Sequence, residues 1–159
     1  MIIIGIDPGS RYCGYGLIQM EGRRVLAAGC DVIDVTREKE LPMRLKKLYE
    51  QISSILDEYK PELAAVESKF FHKQIKSIFT LGHARGVILL ALANKGIPLV
   101  EYSPREIKKS VVGNGNATKT QVRYMINQLY GLKESPRRDD AFDALAIATC
   151  HYNRLKWMK

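Results

Sequence analysis

The sequence predicts an α/β fold, with a mixed sheet of five strands and helices on its faces. Two observations carry this prediction. Three short apolar segments separated by turns open the chain, which is typical of an antiparallel meander. Helical and strand-like segments then alternate, which is typical of parallel strands connected through helices. All 159 residues (1–159) are assigned to one domain, because this length suits a single domain of ordinary size.

Turns and apolar runs define the predicted strands and the helices between them. Residues 1–7 form an apolar run that ends in Asp-Pro-Gly, and two further strands over 13–20 and 25–35 flank the turn Glu21-Gly22. Large apolar residues recur at helical spacing from 41 to 59, and Lys60-Pro61 ends that helix. A strand over 63–67 (LAAVE), a helix over 73–95 closed by Gly96, and a strand over 97–102 follow.

The C-terminal third is predicted to be helical. Ser103 is a good N-cap, and Pro104 suits the first turn of a helix. A loop rich in glycine and asparagine over 113–118 precedes a second helix, which Gly131 ends. The last helix begins near Asp139 and runs through AFDALAIATCHYNRL.

Composition excludes several classes of protein. Hydrophobic residues make up 46% and charged residues 26%, and no apolar run is long enough to span a membrane. The N-terminus lacks the pattern of a signal peptide. Cys13, Cys30 and Cys150 are widely spaced, which indicates neither a disulfide framework nor a zinc site. We therefore expect a cytoplasmic protein.

Positive charge is concentrated in two parts of the chain. The formal net charge is +8, and residues 103–138 carry eight basic residues against two acids, while residues 69–100 carry five basic residues and no acid. Such stretches are more typical of a phosphate-binding surface than of a mixed solvated face, although a lysine-rich surface kept for solubility is the alternative. The candidate contacts to a polyanionic partner such as a nucleic acid are Lys69, Lys73, Lys76, Lys108, Lys109, Lys119 and Arg123.

Four carboxylates in apolar settings mark the candidate active site. Asp7 and Glu67 each close a predicted strand, and Asp140 and Asp143 share one face of the last helix. Such acids are costly to bury unless they are paired or bind a metal, and their oxygens suit Mg²⁺ or Mn²⁺. Each has an ordinary alternative: Asp7 as a turn residue, Glu67 as an exposed strand end, and Asp139 or Asp140 as an N-cap. Asp143, which lies among apolar residues, has the weakest alternative.

Two further features bear on DNA binding and assembly. Phe70 and Phe71 follow Glu67 on a basic loop, where an exposed aromatic side chain could stack on bases, although at least one is expected to pack on the core. Gly82 and Gly86 on the long helix allow close approach of another helix, and this helix is apolar on more than one face. It could contact a second subunit or be an ordinary core helix.

The chain resembles RuvC-type Holliday junction resolvases. The resemblance rests on segments that cover nearly the whole chain in order: GIDPGSRYCGYG (5–16), LPMRLKKLY (41–49), AVESKFF (65–71), LGHARGV (81–87), REIKKSVVGNG (105–115), TKTQV (118–122) and DDAFDALAIATCH (139–151). It implies a ribonuclease-H-like fold, a homodimer, and Mg²⁺-dependent cleavage of four-way DNA junctions. It also implies a branch-migration helicase as partner.

The resemblance assigns roles to individual residues. The family's four metal-binding, catalytic acids fall on Asp7, Glu67, Asp140 and Asp143, with Asp139 as a possible substitute for Asp140. Its junction-contacting aromatic residue falls on Phe70, and its basic residues near the site fall on Lys108 and Lys119. For the mechanism we expect two metal ions per site, with Lys119 stabilising charge on the reacting phosphate. A two-fold dimer would make paired nicks that leave 5′-phosphate and 3′-hydroxyl ends.

Three other functions share parts of these patterns. Another nuclease or a transposase of the same fold would carry the same acids and differ in its substrate. An actin-like sugar kinase or ATPase also opens with a strand followed by Asp-x-Gly, but it needs two such domains to enclose a nucleotide. A non-catalytic junction-binding subunit is disfavoured, because all four acids are present.

Overall fold

The first three strands form the predicted antiparallel meander. The structure is a computed structural model that describes residues 1–68, 75–132 and 138–157. Strands β1 (Ile2–Asp7), β2 (Tyr12–Glu21) and β3 (Arg24–Asp34) pair in sequence, and Gly22 takes a positive φ of 56° in the turn between β2 and β3. Glycine is favoured at that position because side chains clash in the left-handed region.

Two parallel strands extend the sheet on the other side of β1. Strand β4 (Leu63–Glu67) pairs with β1, and β5 (Leu99–Tyr102) pairs with β4, which gives the order β3-β2-β1-β4-β5. The helices of the described ranges are α1 (Leu41–Tyr59), α2 (Ile75–Asn94), α3 (Pro104–Val112), α4 (Lys119–Tyr130) and α5 (Asp139–Trp157). The predicted mixed five-stranded sheet is confirmed. No helix in these ranges is long and apolar enough to cross a membrane.

Strand β5 is shorter than the sequence predicts. The predicted strand over 97–102 begins at Leu99, because Ile97 still donates to the Leu92 carbonyl at the end of α2 and Pro98 has no N–H to offer the sheet. The predicted helix over 73–95 ends at Asn94 as α2, and its first predicted residues lie outside the described residues.

Helix caps fix where α3 and α4 begin. Ser103 and Glu106 form a capping box at α3, and Thr118 and Gln121 form another at α4. The hydrogen bond from the Ser103 backbone N–H lowers the pKa of Glu106, and the Ser103 hydroxyl acts in the same direction. The cap at Ser103 was predicted. The cap at Thr118 was not, although its sequence pattern Thr-x-x-Gln is recognisable.

The sheet separates two apolar clusters because side chains alternate along each strand. On one face, Ile3, Ile18 and Ala65 pack with residues of α3, α4 and α5. On the other face, Ile4, Ile6 and other large aliphatic residues pack with α1 and α2. We call these the α5 face and the α1/α2 face.

Candidate active site

Asp7 and Glu67 end neighbouring parallel strands on the same face of the sheet. The register pairs Ile6 with Val66, so Asp7 and Glu67 occupy the next position on each strand. Ala65 packs in the cluster of the α5 face, and alternation therefore directs Glu67 to that face as well. The same alternation from Ile3 directs Asp7 to the α5 face, where it is only 4% exposed. The two carboxylates thus belong to one edge and one face.

Glycines bring the first turn of α5 onto this edge. Asp7 pairs with Gly14 of β2, and a Cβ atom on Gly14 would overlap the carbonyl oxygen of Asp140. A Cβ on Gly16 would lie 2.5 Å from Cα of Leu145, five residues further along α5. Because no side chain separates the helix from the strand, the backbone of Asp140 lies against β2 beside Asp7. Asp143 follows three residues later on nearly the same side of α5.

Basic side chains hold the acids of α5. Lys119 Nζ lies 3.0 Å from Asp143 Oδ2, and Arg138 Nε donates to Asp140 Oδ2 at 3.1 Å. Arg123 donates to Asp139 at 2.8 Å. Lys119 reaches Asp143 because the capping box at Thr118 makes it the first residue of α4. The carboxyl groups of Asp140 and Asp143 are about a third exposed and that of Asp139 is 63% exposed, so Asp140 lies deeper than its neighbour.

Arg85 ties α2 to the Glu67 end of β4. Its guanidinium donates to the Glu67 carbonyl oxygen at 3.1 Å and to Glu101 Oε1 at 2.5 Å. It therefore bridges β4 and β5 where both strands reach the site. Ser68 N also donates to the Tyr102 carbonyl oxygen at 2.8 Å, which extends the pairing of these strands past Glu67.

The four acids suit a hard divalent cation in kind and in backbone placement. Carboxylate oxygens are the preferred ligands of Mg²⁺ and Mn²⁺. Within the described ranges, no group of three histidine, cysteine or acidic side chains is arranged to hold a metal ion. Asp140 and Asp143 are turned toward Arg138 and Lys119 instead. Since both carboxylates are partly exposed, rotation of their side chains could bring them toward the strand ends.

The other predicted DNA contacts are only partly described. Lys108 is half-buried on α3, while Lys109, Lys119 and Arg123 are exposed. Lys69, Phe70, Phe71 and Lys73 lie outside the described residues, as does the side chain of Lys76.

Sequence reasoning missed three residues of the site: Arg85, Arg138, and Tyr12, whose ring centre lies 3.4 Å from the guanidinium carbon of Arg138. Arg85 contacts Glu67 from 18 residues away, so no local pattern signals it. Arg138 is two residues from Asp140, and that proximity was a usable signal.

Cysteine and buried histidine chemistry is not indicated at this site. Burial and then the neighbouring Asp31 raise the pKa of Cys30 to about 12, and burial raises the pKa of Cys150. Thiols of this kind stay protonated and unreactive at neutral pH. His151 is buried, and its Nδ1 is hydrogen-bonded to the Tyr102 hydroxyl at 2.7 Å.

Comparison with known proteins defines the class and then the family. The sheet order, with α5 packed across it, defines a ribonuclease-H-like fold that carries acids where β1 and β4 end and on α5. The family model "Crossover junction endodeoxyribonuclease RuvC" matches residues 3–151, and the chain belongs to this family. The resemblance stated from the sequence is therefore confirmed.

Relatives and solved structures agree with this assignment. The RuvC of Syntrophomonas wolfei is 45% identical over 151 residues, covering 95% of this chain and 88% of the relative. The structure of Thermus thermophilus RuvC has a TM-score of 0.86 at 33% identity, covering 98% of this chain and 96% of that one. The same protein in complex with Holliday junction substrate has a TM-score of 0.88 at 32% identity, covering 98% and 95%. The yeast mitochondrial resolvase Ydc2, at 15% identity and a TM-score of 0.64 with 95% and 77% covered, shares the fold.

Proposed function

We propose that this chain, acting as one nuclease domain in each subunit of a homodimer, resolves four-way DNA junctions by paired nicks. The observation that carries the proposal is the placement of the acids: Asp7 and Glu67 end adjacent strands on the α5 face, and the Asp140 backbone lies against Gly14, the strand partner of Asp7. The T. thermophilus relative bound to a Holliday junction supports the choice of substrate.

Asp7, Glu67, Asp140 and Asp143 would hold Mg²⁺, or Mn²⁺, with two ions in each site. Such ions, when bound, supply an activated water and stabilise the leaving 3′-oxygen, so the products would carry 5′-phosphate and 3′-hydroxyl ends. The deeper position of Asp140 supports it over Asp139 as the fourth acid. The burial of Asp7 restricts its side chain and keeps bulk water from one side of the site.

Basic residues around the acids would bind and orient the DNA. Lys119 lies within hydrogen-bond distance of Asp143, so its ammonium group is placed to contact a phosphate bound at these acids. Lys108, Lys109 and Arg123 would contact neighbouring phosphates, which favours DNA binding that weakens with salt. Phe70, from the sequence resemblance, would stack on bases at the junction centre together with Lys69, Lys73 and Lys76 along the backbone.

The outward surface of α2 supports the homodimer. Phe79 is 66% and Leu90 is 54% exposed, and Gly82, His83 and Gly86 lie between them at helical spacing on the same exposed side. A Cβ atom on Gly82 or Gly86 would meet nothing within 4 Å in this chain. A second copy of α2 packed there would bury the two large side chains, and two-fold symmetry would present two sites to one junction.

Cleavage of a synthetic four-way junction in Mg²⁺ tests this function, with linear duplex of the same sequence as the substrate control. We expect junction-specific nicks at symmetric positions whose products can be ligated. Asp7→Asn should reduce the rate at least about a hundredfold, because several kcal/mol of charge stabilisation is lost, while junction binding survives. Asp57→Asn, which removes an exposed acid of α1, is the matched control and should cleave normally. Equal cleavage of duplex, or full activity of Asp7→Asn in Mg²⁺ free of other metals, would refute the proposal.

A further inference from the structure

Arg138 is held between an aromatic ring and one of the acids of the site. Its guanidinium carbon lies 3.4 Å from the centre of the Tyr12 ring, and its Nε donates to Asp140 Oδ2. Tyr12 opens β2 and pairs with Asp34 of β3, so the ring projects from ordered sheet next to the first turn of α5. The arrangement fixes the plane and the position of a guanidinium beside the reaction centre.

The contribution of this ion pair to stability does not explain the arrangement. The side chain of Arg138 is 45% exposed and that of Asp140 is 33% exposed, and exposed pairs of this kind contribute little to folding. The hydrogen bond to Asp140 uses Nε of Arg138 rather than its two terminal guanidinium nitrogens, Nη1 and Nη2. These two nitrogens form a planar fork that matches the oxygens of a phosphate, and stacking on a ring reduces the entropy lost when the guanidinium binds an anion.

We propose that Arg138 is a phosphate-binding residue for the DNA backbone and is positioned by Tyr12. Asp140 pairs with the Arg138 guanidinium until a DNA phosphodiester replaces Asp140 as its partner. This inference rests on the proposed function, in which Asp140 is a metal ligand. Arg138 and a divalent cation then compete for the same carboxylate, while Asp140 and the DNA compete for the same guanidinium. A bound cation would release Arg138 from Asp140 and so favour DNA binding. Bound DNA would release Asp140 from Arg138 and so favour cation binding, which makes the two binding events cooperative.

Replacing Arg138 should therefore shift two affinities in opposite directions. For Arg138→Gln, we expect Mn²⁺ to bind at least about twofold more tightly without DNA, because the competing charge is gone, measured by electron paramagnetic resonance. We expect junction affinity in EDTA to fall severalfold, and the log–log salt slope to become shallower by about 0.9, measured by fluorescence anisotropy. A purely structural role for Arg138 would not tighten metal binding.

Variants of Tyr12 separate positioning from charge. Tyr12→Leu removes the ring and should move junction affinity in the same direction as Arg138→Gln by a smaller factor. Tyr12→Phe keeps the ring, and both affinities should stay at the values of the unmodified protein. Arg138→Lys keeps the charge without the planar fork, so its salt slope should be preserved while its junction affinity falls. If Arg138→Gln does not fold, Arg138→Met, which also removes the charge and keeps an unbranched side chain beside the ring, provides the same comparison of Mn²⁺ and junction affinities.

Arg154 offers a matched control at the other end of α5. Its guanidinium lies 5.1 Å above the Tyr102 ring and donates to Glu106 at 2.9 Å, which repeats the geometry of arginine, tyrosine and acid. It lies about 21 Å along the helix axis from Asp140. Arg154→Gln removes the same charge and should leave Mn²⁺ affinity unchanged.

The outcomes distinguish this inference from the proposed function. Unchanged Mn²⁺ affinity in Arg138→Gln, weaker binding of both ligands, or the same shifts in Arg154→Gln would each overturn the role of Arg138. Junction cleavage by the unmodified protein is measured on the same preparations. If that cleavage is present and the affinities do not shift, only the inference fails; if it is absent, the proposed function fails first.

Discussion

The two faces of the sheet are packed in different ways. On the α5 face, Gly14 and Gly16 of β2 meet α5 with no side chain between the backbones, and the helix contributes small residues there such as Ala141, Ala144 and Ala148. On the α1/α2 face, Ile4 and Ile6 of β1 pack against Leu48, Ile52 and Leu56 of α1 and against residues of α2. Where α5 crosses the glycines of β2, the α5 face is a contact between backbones, whereas the α1/α2 face is a contact between large side chains.

This difference separates the positioning of the site from the stability of the fold. A helix that rests on strand backbone has its height and register set by main-chain atoms, which cannot adjust by changing rotamer. The backbone of α5 that carries Asp140 and Asp143 is therefore fixed relative to β2 and the strand ends beside it. Large aliphatic side chains instead bury much apolar area and tolerate exchange for residues of similar volume. Changes on the two faces should consequently affect different measurements.

The largest effect is expected from adding one carbon atom to the α5 face. In Gly14→Ala, the new Cβ overlaps the Asp140 carbonyl oxygen, so α5 must move away from β2. A shift of about 1 Å in the carboxylates should lower the cleavage rate about a hundredfold. The same overpacking should lower the free energy of unfolding by about 1–3 kcal/mol. Single-turnover cleavage of a junction and urea denaturation measure the two effects.

Gly29 of β3 provides the control for that substitution. It lies in the same meander, and a Cβ there would meet nothing within 4 Å. Gly29→Ala should therefore cleave at the normal rate, and its stability should change by less than about 1 kcal/mol. If Gly14→Ala cleaves as fast as Gly29→Ala, the close contact does not position the acids. The difference in packing between the two faces would then have no effect on catalysis.

A cavity on the α1/α2 face should produce the opposite result. Ile52 is fully buried there, and Ile52→Ala should lower the free energy of unfolding by about 2–5 kcal/mol. Cleavage by the folded protein should remain normal, because α5 does not pack on that face. Rates are to be measured well below the urea midpoint, so that the folded fraction is close to one. A rate that falls in the folded protein would show that both faces position the site.

Local patterns in the sequence account for much of this architecture. The strand LAAVE was predicted residue for residue, because turn residues precede it and its glutamate interrupts the apolar run. The start of α3 followed from Ser103 and Pro104. The four acids became candidates because Asp7 and Glu67 close apolar strands and Asp140 and Asp143 share one face of the last helix. These signals are local, and they depend on the period of the element that carries them.

Contacts between distant segments could not be predicted in the same way. Gly14 and Gly16 were read only as parts of a strand, since their role depends on where α5 crosses β2. The stacking of Arg138 on Tyr12 joins residues that are separated by most of the chain. Such contacts depend on the register and packing of whole elements, which a single sequence determines only through the complete fold.

The smallest expected effect comes from a buried polar pair on the α5 face. Tyr102 and His151 are hydrogen-bonded within the α5 face, and burial lowers the pKa of His151. Below about pH 6.5 the unfolded chain protonates this histidine while the folded chain resists protonation. Stability that is fully present above that pH should therefore be lost as the pH falls, by at most about 1.4 kcal/mol per pH unit.

Urea denaturation at several pH values between 7.5 and 5.5 measures this loss. His151→Gln should remove the corresponding part of the slope, because glutamine does not titrate. At protein concentrations low enough to keep the chain monomeric, His83→Gln, at a position of α2 that is exposed in the single chain, should keep the slope of the unmodified protein. If both variants show the same pH dependence, another group is responsible for it, and the Tyr102–His151 pair would not distinguish the two faces by titration. A slope that is lost only in His151→Gln would assign the pH sensitivity of folding to the α5 face, which also carries the acids.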